Sequence, residues 1–170
     1  MPIKTGMIAV GAVAWLAVST LASAADPPPT DAPAAAVQTA ASPTDTAFLA
    51  KAVPAGREEV AAARTAIKLS KSAAVKKAAE MMSRDHRMAN HELAALAAKK
   101  GWSLPPRDAA APTGYTDEAY VTAQVRAHQD AIALFTDEAA NGSDADLKAF
   151  AQKTLPTLQH HLKALQALPS

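Results

Sequence analysis

Residues 72–101 read SAAVKKAAEMMSRDHRMANHELAALAAKKG, and this stretch decides the fold. Alternating steps of four and three residues are typical of an amphipathic α-helix with one buried face. They connect Val75, Ala79, Met82, His86, Ala89, Leu93 and Leu96. Ser72 can cap the start of this helix, and Gly101 can take the left-handed conformation that follows its last turn. The stretch therefore predicts one long helix of a helical bundle.

A first helix is predicted upstream, from about Asp45 to Leu69, with Thr44 or Asp45 as its N-cap. Pro54 lies inside it, and an internal proline removes one backbone hydrogen bond and clashes with the preceding turn. We therefore expect either a kink near residues 50–54 or a separate short turn at the N-terminal end.

Two further helices follow a proline-containing loop at residues 102–115. The third helix is predicted over residues 116–141, and the fourth begins at a capping box formed by Ser143 and Asp146. Pro156 predicts a bend in the fourth helix. The loop is long enough to cross the whole bundle, so an up-and-down pair of hairpins and a ferritin-like bundle with a crossover both fit the pattern.

The composition agrees with an all-α protein and excludes several functions. Of the 170 residues, 49% are hydrophobic but only 4% are aromatic, so alanine-rich helices are favoured over a β-sandwich. The formal charge of +1 gives no electrostatic support for nucleic-acid binding. The chain has no cysteine, which excludes disulfides, iron–sulfur clusters and zinc-thiolate sites. A metal ion would have to be bound by histidine and carboxylate.

The N-terminal segment predicts export. Residues 1–24 combine Lys4, an apolar run from Met7 to Leu21 and an Ala22-Ser23-Ala24 cleavage pattern, as in a secretory signal peptide. The apolar run is short for a membrane span, so no integral span is expected after cleavage. Residues 25–43 are rich in proline and alanine and are predicted to be a linker. Residues 44–170 are predicted to be the folded domain, in the periplasm.

Three of the five histidines fall on inward positions of the predicted helices: His86, His128 and His161. Glu59 falls on a comparable face of the first helix. Counting 1.5 Å per residue from the turns predicts Glu59, His86 and His128 at similar heights and His161 about 6–10 Å away from them. Three imidazoles and a carboxylate are a recognisable ligand set for one Zn, Fe, Cu or Mn ion. The alternative is that each histidine is a core residue that hydrogen-bonds a neighbouring hydroxyl or carbonyl.

The other polar residues near these positions are interpreted as surface groups. His91 lies off the buried face, and His160 is expected to be half exposed. Asp85 is adjacent to His86, but neighbours in a helix point about 100° apart, so it is interpreted as a surface or interhelix partner. No catalytic residue is predicted, because the chain shows no nucleophile elbow, phosphate-binding loop or paired carboxylates.

The chain resembles the domain of unknown function 4142 family over about residues 46–168. The runs that carry the resemblance are FLAKA at 48–52, MSRDH at 82–86, AHQDAIALF at 127–135 and TLPTLQHHL at 154–162. The resemblance implies an exported bacterial protein of the type often labelled outer-membrane or periplasmic, and a ferritin-like four-helix bundle with a crossover. It places the family's helical Glu, Asp-His, His and His on Glu59, Asp85-His86, His128 and His161.

The chain departs from the Glu-x-x-His motif of di-iron bundles, because Ser83, Val125 and Leu158 precede the three histidines by three residues. The function hypothesis is therefore an exported bundle that binds one transition-metal ion through Glu59, His86, His128 and His161, with a role in metal buffering or envelope stress. One alternative is a non-catalytic envelope interaction module in which these polar residues are structural. Another is a metal-dependent redox enzyme, which would need an open coordination position. A homodimer or an envelope protein is a further expected partner class.

Overall fold

The structure, a computed structural model, describes residues 41–106 and 114–168. The predicted signal peptide and nearly all of the predicted linker lie outside these residues. The described part consists of four helices: α1 (Pro43–Leu69), α2 (Ala73–Lys99), α3 (Asp117–Asn141) and α4 (Ala145–Gln166). The prediction of an all-α four-helix bundle is confirmed. Within the described ranges, no helix is both long and apolar enough to cross a membrane.

The start of α1 lies before the predicted position. Its N-cap is Ser42, and not Thr44 or Asp45, because Pro43 fits the first helical position, where no backbone N–H is needed. The Ser42 hydroxyl accepts from the backbone N–H of Asp45, and the Asp45 carboxylate accepts from the backbone N–H of Ser42 at 3.1 Å. This capping box fixes the first turn. The helix then continues through Pro54 to Leu69, so the separate N-terminal turn does not form.

The other helix ends lie where the sequence predicts them, except for the start of α4. Ser72 caps α2 as predicted, and α3 starts within one residue of its predicted position, with Thr116 as its N-cap. Gly101 follows α2 with a φ of 68°, a left-handed conformation that glycine adopts without steric strain. The N-cap of α4 is Asp144 rather than Ser143, because the Asp144 carboxylate accepts from the backbone N–H groups of two following residues.

The connectivity is the crossover type. α1 packs mainly against α2 and α3 mainly against α4, while the remaining adjacent pairs are α1 with α3 and α2 with α4. Lys100, just after α2, forms an ion pair of 2.6 Å with Asp144, which precedes α4. The Asp45 carboxylate, in the first turn of α1, accepts from the backbone N–H of Ser143 at 2.9 Å. Therefore α2 and α3 end at the same end of the bundle, run parallel and lie on a diagonal.

The connection between α2 and α3 must then pass along the whole bundle, and its described ends agree with that path. The Arg57 side chain, halfway along α1, donates to the backbone carbonyls of Pro105 and Pro106 at 2.8 Å. At the far end, the hydroxyl of Tyr115 donates to Asp117 at 2.6 Å, and it also interacts with Ser70 beyond the end of α1. This is the single-crossover arrangement of ferritin-like folds.

Two hydrophobic clusters fill the bundle, one towards each end. The first includes a group of aromatic rings, Phe48, Phe135 and Phe150, with ring centroids 4.9–6.5 Å apart. The second includes Met82 and Leu165 among many alanines. The four buried polar side chains Glu59, His86, His128 and His161 lie along the helices between these two clusters.

A buried carboxyl pair joins α1 to the turn between α3 and α4. Asp45 and Glu138 are each 1% exposed, and their side chains interact. Asp45 accepts hydrogen bonds from Ser42, Ser143 and Asp144. Neither side-chain oxygen of Glu138 receives a hydrogen bond. Burial and the interaction with Asp45 raise the pKa of Glu138 to about 7, so this carboxyl group holds its proton more strongly than usual.

Candidate metal centre

Three histidines from three helices meet in the middle of the bundle. The Nε2 atom of His128 on α3 lies 3.4 Å from Nε2 of His86 on α2 and 3.3 Å from Nδ1 of His161 on α4. One ring nitrogen from each residue lies within 4.8 Å of the other two. The exposed fractions of these residues are 8%, 1% and 1% for His86, His128 and His161. The inward placement that the helical spacing predicts is therefore confirmed for all three.

His161 joins the cluster despite the height offset expected from residue counting. Side chains on a helix lean towards its N-terminus. The ring of His128 therefore leans away from the α3–α4 turn, while the ring of His161, on the antiparallel α4, leans towards it. The two rings approach each other, and their centroids lie 5.4 Å apart. Counting Cα positions alone overestimates the separation.

Asp85 orients the ring of His161. Its Oδ2 atom lies 3.0 Å from Nε2 of His161, so this nitrogen donates to the carboxylate and leaves the Nδ1 lone pair pointing into the cluster. Arg84 contacts the same carboxylate through Oδ1 at 2.9 Å. A carboxylate that holds the far nitrogen of a ligand imidazole is a recurrent feature of metal sites. The interpretation of Asp85 as an interhelix partner is confirmed, and its link to the cluster is new.

The backbone of α3 orients His128. Nδ1 of His128 lies 2.9 Å from the carbonyl oxygen of Gln124, one turn earlier, and donates to it. The Nε2 atom of His128 then has a lone pair directed into the cluster. Two of the three rings are thus held in the tautomer that places an acceptor nitrogen at the centre.

Glu59 lies beside the cluster on the other side of His128. Its Oε1 atom is 3.8 Å from Nδ1 of His128, the nitrogen that faces away from the other two rings. Glu59 is 7% exposed, and its Oε2 atom has no hydrogen-bond partner. Burial raises the pKa of Glu59 to about 8, although an interaction with the Gln124 side chain opposes this. The structure brings Glu59 near the histidines but does not place its oxygens among their three converging nitrogens.

All three histidines are held in the neutral form. Burial lowers the pKa of His86 to about 3 and that of His128 to about 4, and the neighbouring imidazoles contribute in the same direction. Burial also lowers the pKa of His161, although Asp85 opposes this. Neutral imidazole is the form that coordinates a metal ion.

The two remaining histidines are not among the three converging rings. His91 is exposed, as expected from its position off the buried face. His160, which was expected to be half exposed, is exposed, and its ring centroid lies 6.4 Å from that of His161. Gln124 was not singled out from the sequence, although it is 4% exposed and contributes to the cluster through its carbonyl. The sequence signal that could have identified Gln124 is a polar residue one helical turn before an inward histidine.

The fold and the cluster together define a class of protein: a crossover, ferritin-like four-helix bundle with three histidines converging in its middle. The chain matches the model of the family described as Domain of unknown function (DUF4142) over residues 30–168, and it belongs to that family. The family prediction is confirmed. Comparison with curated proteins and with solved structures finds no significant match.

Proposed function

We propose that this protein binds one transition-metal ion through ring nitrogens of His86, His128 and His161. The observation that carries the proposal is the spacing of these nitrogens, 3.4 Å and 3.3 Å for the two pairs that include His128. Ligands at about 2.0–2.1 Å from a zinc ion in a tetrahedral arrangement lie about 3.3–3.4 Å from one another. An ion could therefore bind between these nitrogens with small side-chain adjustments.

Each surrounding residue has a role in this proposal. Nδ1 of His161 and Nε2 of His128 and His86 coordinate the ion, while Asp85 and the Gln124 carbonyl hold the rings in place. Glu59, which the sequence predicts as a fourth ligand, lies behind the ring of His128, 3.8 Å from its Nδ1 atom, and its raised pKa favours the neutral acid there. Imidazole ligands suit Zn, Cu and Fe, whereas Mn prefers oxygen, so we rank Mn last among the four metals.

The proposed setting is the periplasm, and the proposed role is metal binding or buffering under envelope stress. Support for export comes from the signal-peptide pattern of residues 1–24. The absence of cysteine also suits a site that uses histidine alone in an oxidising compartment.

The test is elemental analysis of the untagged protein, purified without chelator, beside a His86→Ala/His128→Ala variant. The control is His91→Ala, which removes an exposed histidine outside the cluster. We expect about one equivalent of one metal in the natural protein and in the control, and none in the cluster variant. Circular dichroism must show that the variant is still helical.

A second measurement follows the melting temperature during titration with Zn, Cu, Fe and Mn. An ion that binds only the folded state raises its stability. Protein that is purified without metal, takes up none of the four ions and melts at an unchanged temperature would refute metal binding. The buried histidines would then be structural, as the interaction-module hypothesis requires.

A further inference from the structure

A cavity of about 540 Å³ lies beside the three-histidine cluster. Its lining includes His86, His128 and Glu59. Its volume falls within the range of about 300–1,000 Å³ that is typical of small-molecule sites. The cavity therefore has the size and position to hold a small molecule next to the proposed metal ion.

Small side chains on two helices leave this space open. Ala52 and Ala55 on α1 and Ala127 and Ala131 on α3 line the cavity, together with the ring of Phe135 from the aromatic cluster. The opening lies on the seam between α1 and α3, where exposed residues form part of the lining. The walls are thus mainly apolar, and a ligand that fills them needs an apolar body.

One buried polar atom in this lining has no partner. The Oε2 atom of Glu59 has no hydrogen-bond partner, although only 7% of the residue is exposed. Buried polar atoms are almost always hydrogen-bonded, so an unpaired one beside a cavity points to a ligand. The head group of a ligand in this cavity would face Glu59 and the rings of His86 and His128, which line it together.

We propose that the cavity binds a small monocarboxylic acid with an apolar chain, whose carboxyl group completes the coordination of the metal ion and hydrogen-bonds to Glu59. The inference rests on the proposed metal site. Three neutral imidazoles leave the charge of a divalent ion uncompensated in an apolar interior, which favours an anionic oxygen as the next ligand. Three protein ligands with one open position are also typical of zinc sites that exchange ligands.

A carboxyl head group also fits Glu59. Two carboxyl groups can share one proton, so a protonated Glu59 can donate to a ligand carboxylate. The charged residues at the mouth are Lys51, Asp130 and Asp137. All three side chains are exposed, so water and salt screen their charges. We therefore expect these charges to have little effect on which ligand binds.

The test uses the full-length protein loaded with Co²⁺, whose visible absorption reports the ligands of the ion. Acetate, hexanoate and decanoate are titrated in turn, and their affinities are read from the change in the Co²⁺ spectrum. We expect hexanoate to bind at least tenfold more tightly than acetate, because its chain fills the apolar cavity. Glu59→Leu, which removes the hydrogen-bonding group, should weaken hexanoate binding while Co²⁺ still binds.

Two phenylalanine substitutions on α3 locate the effect. Ala131→Phe fills the cavity and should abolish the advantage of hexanoate over acetate, while the matched Ala140→Phe, at an exposed position outside the lining, should preserve it. If Ala131→Phe does not fold, Ala133→Phe, at an exposed position in the lining, serves the same purpose.

The outcomes separate this inference from the metal proposal. If Co²⁺ binds but the carboxylates leave its spectrum unchanged, or acetate and hexanoate bind equally, the ligand inference is wrong and the metal site stands. If Co²⁺ does not bind, the proposed function fails, and the inference fails with it because the head group has no ion to coordinate.

Discussion

Replacing Glu138 with glutamine should stabilise the folded protein at pH 8 and reduce the dependence of its stability on pH. Glu138 is 1% exposed and faces Asp45 at the end of the bundle. Asp45 is held as an anion: although burial opposes this, hydrogen bonds from Ser42, Ser143 and Asp144 lower its pKa. Beside this anion, the protonated form of Glu138 is favoured. Glutamine keeps the shape of the side chain, donates to Asp45 through its amide and cannot ionise.

The size of the effect follows from the proton affinity of Glu138. Burial, the interaction with Asp45 and the nearby negative charges raise its pKa from 4.5 to about 7. Between these two values the unfolded chain binds fewer protons than the folded protein, so the free energy of unfolding falls as pH rises through this window. Each tenfold change in proton affinity corresponds to about 1.4 kcal/mol, so above pH 7 the free energy of unfolding is lower by about 3 kcal/mol than in mild acid.

The assay is urea denaturation followed by circular dichroism at several pH values from 4.5 to 8, with chelator present so that metal binding does not contribute. The histidines and Glu59 also titrate differently in the two states, so the informative quantity is the difference between the variant and the natural protein. We expect this difference to rise by about 3 kcal/mol in favour of Glu138→Gln across the range. The control Asp130→Asn, at an exposed position about two turns earlier on the same helix, should differ by no more than about 0.5 kcal/mol at any pH. A flat difference for Glu138→Gln, or a variant that is less stable than the natural protein at pH 8, would refute the raised proton affinity of Glu138.

Three further substitutions test other contacts. Asp85→Ala frees the ring of His161 and should weaken metal binding by about 10–100-fold in a competition titration, with helicity preserved. Gly56→Ala adds a Cβ that meets the side chain of Asn90. Alanine has the higher helix propensity, by about 1 kcal/mol, but we expect the full stabilisation only when Asn90 is also replaced by alanine. A double-mutant cycle measures this coupling. Ser42→Ala removes the N-cap of α1 and should cost about 1 kcal/mol in urea denaturation; an unchanged midpoint would contradict the observed capping box.

Most of the fold could be predicted from the sequence, because each helix has a regular apolar spacing and identifiable end signals. Gly101 and Thr116 end and begin their helices where the pattern indicates. The N-caps of α1 and α4 were misplaced by one to three residues, because several adjacent residues at each start are good capping residues. The crossover could not be derived from spacing alone. It depends on contacts between ends that are far apart in sequence, such as the hydrogen bond from Ser143 to Asp45.

The candidate site was predictable to the level of which histidines point inward. Their convergence depends on two features that sequence spacing does not give. One is the tilt of side chains towards the N-terminus of each helix, which brings rings on antiparallel helices together, and the other is which ring nitrogen faces the cluster. Glu59 shows the same limit: its burial follows from the helical pattern, but its position behind His128 depends on how α1 packs against α3.

The histidine layer is difficult to explain as a device that specifies the fold. Contacts elsewhere also hold α1 against α3 and α4, namely the hydrogen bond from Ser143 to Asp45 and the packing of Phe48 against Phe135 and Phe150. The layer also opposes folding in mild acid, because the unfolded chain can protonate His86 and His128 at pH values where the folded protein cannot. Residues that reduce stability without being needed for the fold are expected at functional sites. Together with the adjacent cavity, this cost favours the proposed binding role of the three imidazoles over a purely structural one.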